Sequence, residues 1–143
     1  MAAAPQSIGT IDTGVSRHMG VYSDAVVIPP GMVQVVLSGT PGLRSDGTRP
    51  DDFAEETRQA WENVREALLC AGAELSDIVQ VRTWLTNADD METYVEIRKE
   101  IIGHKPALML AVVPQLVRPS FRLEIEVVAA VASTSTTAAG QDE

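Results

Sequence analysis

The run from Asp51 to Thr86, DDFAEETRQAWENVREALLCAGAELSDIVQVRTWLT, constrains this 143-residue chain more than any other stretch. Phe53, Thr57, Ala60, Trp61, Val64, Ala67, Leu68 and Ala71 recur at helical spacing down one face. Glu55, Arg58, Glu62 and Arg65 lie on the opposite face with opposite charges three and four apart, the pattern of a solvated surface. Asp52, with Glu55 three residues on, resembles a capping box. Gly72 supplies the left-handed residue that ends helices. Ile78 to Thr86 is then β-branched and aromatic enough for a strand, with Trp84 expected in the core. A helix feeding directly into a strand makes the class mixed α and β.

The remaining segments fit one domain over residues 15–131. Residues 1–14, rich in small residues, are expected to be a flexible arm. Ala25 to Ile28 and Met32 to Leu37 flank Pro29-Pro30-Gly31, which predicts a hairpin. Asn87 to Asp90 is expected to cap a second helix with Gly103 as its stop. The apolar face of that helix carries Met91, Tyr94, Val95, Ile101, Ile102 and the stem of Arg98. Leu108 to Val113 is apolar without alternation, so a strand covered on both sides is expected. Phe121 to Val131 alternates, placing Phe121, Leu123, Ile125 and Val127 on one side and Arg122, Glu124, Glu126 and Val128 on the other. The polar residues 132–143 are expected to be a disordered tail.

Composition bounds the chemistry. With 20 acidic against 11 basic residues the net charge is −9, which argues against nucleic-acid phosphate and against an anionic membrane as partners. The sequence offers no apolar run long enough to span a bilayer and no secretory leader. Cys70 is alone, so no disulfide within the chain is expected, and a reducing cytoplasm is the default location. Its place near a helix end reads as a small buried hydrophobe. His18 and His104 share no metal-ligand spacing and read as surface residues. Glu124 and Glu126 share a strand face about 6.7 Å apart. That separation suits paired acid and base roles, and it equally describes an exposed strand face balanced by Arg122, which the residues alone favour.

Several short segments, in fixed order, carry a family resemblance. They are Tyr22-Ser23, Ser38-Gly39, Glu56-Thr57-Arg58-Gln59-Ala60 with Glu62-Asn63, Ala71-Gly72-Ala73, Leu85-Thr86, Pro106-Ala107 and Glu124-Ile125-Glu126. From about Tyr22 to Ala130 the chain resembles the RidA-like family of reactive intermediate deaminases, also called the YjgF family. The resemblance implies a chorismate-mutase-like α+β subunit, a mixed sheet with two helices on one face. It further implies a homotrimeric barrel with ligand clefts between subunits. Hydrolysis of small enamines and imines, without metal or cofactor, is the implied activity. By the same resemblance Glu124 positions or activates water, and Tyr22, Ser38, Gly39, Thr40, Leu108 and Leu110 line the cleft.

The chain also departs from that pattern. Leu108 stands where the family has a carboxylate-binding arginine, and Leu110 stands at a polar position often held by cysteine. Thr40 replaces a frequent glutamine, and Val95 a common asparagine. Loss of a charge-assisted pair removes about 1.5–3 kcal/mol of binding. Either another group holds the carboxylate, with Arg118 or Arg122 of a neighbouring subunit as candidates, or the substrate is less acidic or more apolar. A different acid–base reaction on a hydrophobic intermediate, run by Glu124 with Tyr22 or His18, and a non-catalytic trimeric binding protein are the alternative readings.

Overall fold

The computed structural model describes residues 7–133, which contain six strands and two α-helices. In chain order they are β1 (Gly9–Ile11), β2 (Ala25–Val27), β3 (Met32–Val36), α1 (Phe53–Cys70), β4 (Ile78–Leu85), α2 (Met91–Ile101), β5 (Ala107–Val112) and β6 (Leu123–Ala132). The main sheet has the order β3-β6-β4-β5. β6 runs antiparallel to both neighbours, whereas β5 lies parallel to β4, joined to it through α2. A parallel pair needs such a crossover.

Helix α1 begins where the sequence places it: the Asp52 side chain accepts the Glu55 N–H, and Gly72 follows at φ 82°. Its buried face carries Trp61, Val64 and Leu68. Together with Tyr94 and Ile97 of α2 these cluster with Val81, Leu85, Leu123, Ile125 and Val127 of the sheet. Both helices therefore serve one core on one face, and the alternation of β6 is visible in its burial.

Several expectations are corrected. β2 does not pair with β3; it pairs antiparallel with β1, Thr10 beside Val26, while β3 pairs with β6. The turn at Pro29-Pro30-Gly31 therefore passes the chain from a two-stranded ribbon to the main sheet. β1 falls inside the segment expected to be an arm; residues 1–6 and 134–143 lie outside the described residues. β5 is an edge strand and only partly covered. α2 ends at Ile101 with Ile102 extended, without a left-handed Gly103. Trp84 is half-buried, on the face away from the helices, and Cys70 is exposed.

One polar cluster ties helix, loop and sheet together. Glu56 on α1 is fully buried and accepts the Arg122 N–H at 3.0 Å, the Arg122 Nε–H at 2.6 Å and an Arg49 N–H at 3.1 Å. Arg122 also donates to the carbonyls of Pro50 and Asp51. Two helical turns along, Asn63 donates to the carbonyls of Pro41 and Leu43. Glu56→Ala leaves both guanidiniums without their carboxylate and with only backbone carbonyls as acceptors. Since each keeps some access to water, the expected loss is about 2–3 kcal/mol. Urea unfolding of the variant at neutral pH checks it, and an unchanged midpoint contradicts a structural role for the cluster.

Candidate active site

Glu124 owes its surroundings to an irregularity opposite it. Leu37 N–H bonds to the Val127 carbonyl, and Thr40 exchanges both backbone bonds with Ile125. Three residues of this strand therefore span two of β6, so Ser38-Gly39 forms a bulge. Among the described residues, neither the Ser38 nor the Gly39 N–H finds an acceptor. A Cβ on Gly39 would stand 2.8 Å from the Glu124 carboxyl carbon, so the absence of a side chain there is what lets the carboxylate lie against the bulge. The Thr40 hydroxyl donates to the Ser38 carbonyl and braces the turn.

Glu124 is half-buried on the sheet face that carries no helix. Trp84 of β4 lies directly beside it, followed by Ala111 of β5. Glu126, two residues on, pairs with Arg82 at 3.6 Å. The two carboxylates thus differ: Glu126 has a cationic partner, and Glu124 lies against the side-chain-free Cα of Gly39 in the bulge.

Tyr22 belongs to a second region. Ser23 donates its N–H to the Pro106 carbonyl and its hydroxyl to the Lys105 carbonyl, which fastens this loop to the start of β5. Tyr22 and Lys105 line a concavity of about 190 Å³ together with Arg17 and Gly20. Asp24 organises the loop by accepting from the N–H of Thr13 and of Ser16 and from the Ser16 hydroxyl. Although burial raises its pKa, these hydrogen bonds prevail and hold the carboxyl below the usual range. Pro106 precedes the level of Gln80, whereas Glu124 lies beside Trp84. Along the strands that is a separation of about 13 Å. Within one chain Tyr22 and Glu124 do not share a cavity.

Leu108 and Leu110 lie beside Val81 and Thr83, on the helix-bearing face, opposite in direction to Glu124. With Val95 they pack against the core. The sequence-derived site residues therefore fall into two groups: Glu124 with Ser38, Gly39 and Thr40, and the β5 edge with Tyr22, Leu108 and Leu110. His18 is exposed in a 3-10 turn. His104 is half-buried, with Nε2 2.8 Å from the Ile78 carbonyl oxygen, rather than a free surface residue.

Of the arginines proposed to receive a carboxylate, Arg122 is engaged by Glu56 in its own chain. Arg118 is exposed, its guanidinium 5.6 Å from the centre of the Phe121 ring. A third arginine attracts notice only in the structure. Arg98 of α2 is 8% exposed and makes no ion pair or side-chain hydrogen bond among the described residues. Burial lowers its pKa, and neighbouring Tyr94 offsets this in part. The same burial pushes Tyr94 up to about 12, against the effect of its hydrogen bond to Thr83. The sequence places Arg98 on an apolar face, which explains its stem and not its head group.

The family described as Endoribonuclease L-PSP matches residues 16–131. A 2-iminobutanoate/2-iminopropanoate deaminase of Rattus norvegicus is 33% identical over 114 residues, covering 78% of this chain and 80% of the relative. The protein of the same description from Homo sapiens is 31% identical over 130 residues, covering 90% and 85%. Rv2704 of Mycobacterium tuberculosis, a YjgF/YER057c/UK114 member of known structure, is 32% identical with a TM-score of 0.62, covering 87% of this chain and all of that one. The chain belongs to the RidA-like family. In fold it is also similar to the Rid-family protein YyfB of Yersinia pestis, with a TM-score of 0.75 at 24% identity over 88% of this chain. The chorismate-mutase-like α+β subunit expected from the sequence is thus established.

For this RidA-like chain the fit of Gly39 against Glu124 gives a direct test. Gly39→Ala must push the carboxylate off the bulge while leaving the core untouched. The variant is expected to unfold within about 1 kcal/mol of wild type. Its chemical-shift changes should centre on Ser38, Thr40 and Glu124, and any ligand that uses this pocket should bind more weakly. A global loss of stability would contradict it.

Proposed function

We propose that the protein hydrolyses a small 2-imino acid, or its enamine, to the corresponding oxo acid and ammonia. The observation that carries this reading is the half-buried Glu124 carboxylate set against the side-chain-free Cα of Gly39, in a bulge whose Ser38 and Gly39 N–H groups have no acceptor among the described residues. The named activity of the rat and human relatives supports it. In this reading Glu124 accepts a proton from water as the water oxygen attacks the imine carbon. The carbinolamine that forms takes a proton on nitrogen. The C–N bond then breaks, ammonia leaves, and the oxygen loses its proton as the carbonyl forms. A carboxylate acting this way contributes about 10²–10⁴-fold. The free amides of the bulge are donors for charge developing on oxygen.

The reading includes a homotrimer. Two groups of site residues on opposite faces of one sheet cannot surround one small molecule, whereas neighbouring subunits can bring one group of each together. The helix-free face supports this: Val36 is 71% and Met109 37% exposed there, an apolar surface suited to a second copy. Leu108 and Leu110 then favour a substrate whose side chain is more apolar than that of the simplest imino acids. No step draws on a metal or cofactor.

Ammonia release from an imine generated in situ by a dehydratase tests the chemistry. Wild type is expected to accelerate release, and Glu124→Gln to lower the rate by about two orders of magnitude or more. Equal rates for the two proteins would refute a role for Glu124. Light scattering on the eluted protein should return three chain masses, and Val36→Asp should shift the distribution towards the single chain.

A further inference from the structure

Nine arginines occur in the chain, and their surroundings differ in one respect that bears on the ligand. Arg17, Arg49, Arg58, Arg65, Arg82 and Arg122 each meet a carboxylate. Arg44 donates to the Thr48 hydroxyl, and Arg118 is exposed over Phe121. Arg98 alone combines burial with the lack of any such partner among the described residues. Among the described residues only Thr57 Oγ1 and Trp61 Nε1 are fully buried side-chain polar atoms without a partner. The Arg98 nitrogens therefore keep a narrow contact with solvent while lacking a protein anion or acceptor, although charges this largely buried are ordinarily paired. Five N–H donors in a planar fork match a carboxylate in two-point contact.

The fold places this cation at the leucine-lined edge. α2 leaves the C-terminal end of β4 and returns to the start of β5, so it runs antiparallel to both. Tyr94, hydrogen-bonded to Thr83, fixes the helix over β4. Arg98 is one turn further, about 6 Å along the axis, which corresponds to roughly two strand residues. That is the level of Val81 and, beside it on β5, Leu108. Around the helix Arg98 lies roughly 40° from Tyr94 on the side of Val95. Ile97 and Ile101 lie on the other side, and Ile101 lines a groove with Arg58, Trp61 and Arg65 of α1. Arg98 is therefore turned away from α1, towards the outer edge where Val95, Leu108 and Leu110 pack.

We propose that Arg98 is the residue that receives the substrate carboxylate, the cation having its origin on helix α2 while strand β5 presents only leucines. The proposal rests on the deaminase reading for the identity of the ligand. The observation behind it, a buried guanidinium without a partner, stands apart from Glu124. Substrate selectivity then has two parts: Arg98 demands an anionic end, and Leu108 and Leu110 accept an apolar side chain.

The test is calorimetric titration with 2-oxobutanoate, the oxo acid formed from 2-iminobutanoate. Wild type, Arg98→Leu, Arg98→Leu with Leu108→Arg, Lys105→Met and Glu124→Gln are compared, each with its urea midpoint and its rate of ammonia release. Arg98→Leu is expected to weaken binding by about tenfold or more, while its urea midpoint stays level or rises because an unpaired buried charge has gone. Adding Leu108→Arg should restore binding, and Lys105→Met, beside Tyr22, should lower it less than Arg98→Leu does. Wild-type affinity in Arg98→Leu, no binding by wild type, or loss transferred to Lys105→Met would each overturn the proposal. A falling midpoint in Arg98→Leu without rescue by Leu108→Arg would overturn it too, by making Arg98 structural. Glu124→Gln separates the two readings: retained binding with lost turnover upholds both, retained turnover removes Glu124 from the mechanism, and absence of turnover in wild type removes the deaminase reading, each of the last two leaving the assignment of Arg98 to the titration.

Discussion

Glu56 is fully buried, and it is the point at which three parts of the chain meet. Its carboxylate takes the backbone N–H and the guanidinium of Arg122 at the entry to β6, and a guanidinium N–H from Arg49 in the preceding loop. A carboxylate taken out of water needs donors that replace its hydration. The geometry that satisfies it leaves little freedom in how β6 begins relative to α1. Arg122 is two residues before Glu124, so the same bonds that seat the helix also set the height of Glu124 on the sheet. Asn63, holding the carbonyls of Pro41 and Leu43, does the corresponding work for the chain that leaves the bulge. Both halves of the Glu124 environment are thus anchored to α1, although no α1 side chain shares the sheet face on which that carboxylate lies.

Elements whose signal is local were legible in the sequence. The helical spacing from Phe53 to Leu68, the Asp52 cap and the alternation of β6 each follow from periods that neighbouring residues impose on one another, and the structure keeps all three. The errors lie where the decisive partner is remote. Ala25–Val27 and Met32–Val36 have the composition of a hairpin, yet β3 gains a longer ladder against β6, five residue pairs, and β2 turns to β1. The apolar run of β5 reads as a doubly covered strand because sequence cannot distinguish a helix above from a second subunit below. Trp84 was assigned to the core on its size, but strand alternation beside the buried Thr83 and Leu85 sends it to the opposite face.

The site was legible to a different degree. Glu124 and Ser38-Gly39 follow from the family resemblance, whereas the bulge and its fit to the carboxylate, a matter of one missing Cβ, are visible only in the structure. Arg98 was visible as a residue and invisible as a feature. A long side chain on an apolar helix face ordinarily lays its stem on the core and carries its charge to water, and only the structure shows how little of Arg98 reaches water and that no acceptor meets its head group among the described residues. The signal that was present in the sequence is Tyr94 four residues before Arg98, a spacing that sets a phenol beside a guanidinium on one helix face.

The exchange of arginine for leucine on β5 therefore has a reading other than loss of function. A charge on an edge strand and a charge on the helix lying above that edge can reach the same space from two directions, and each dictates what the other element must supply. With the cation on β5, the helix is free to carry a polar residue such as asparagine; with the cation on α2, the neighbouring positions Val95, Leu108 and Leu110 are apolar and pack against the core. Burial of that stem holds the head group in place when no ligand is bound, which lowers the entropy lost on binding at the expense of desolvating the charge. A cleft arranged this way binds an anion strongly only when the anion arrives with an apolar portion that fills the space between the leucines, because the carboxylate alone leaves that surface uncovered.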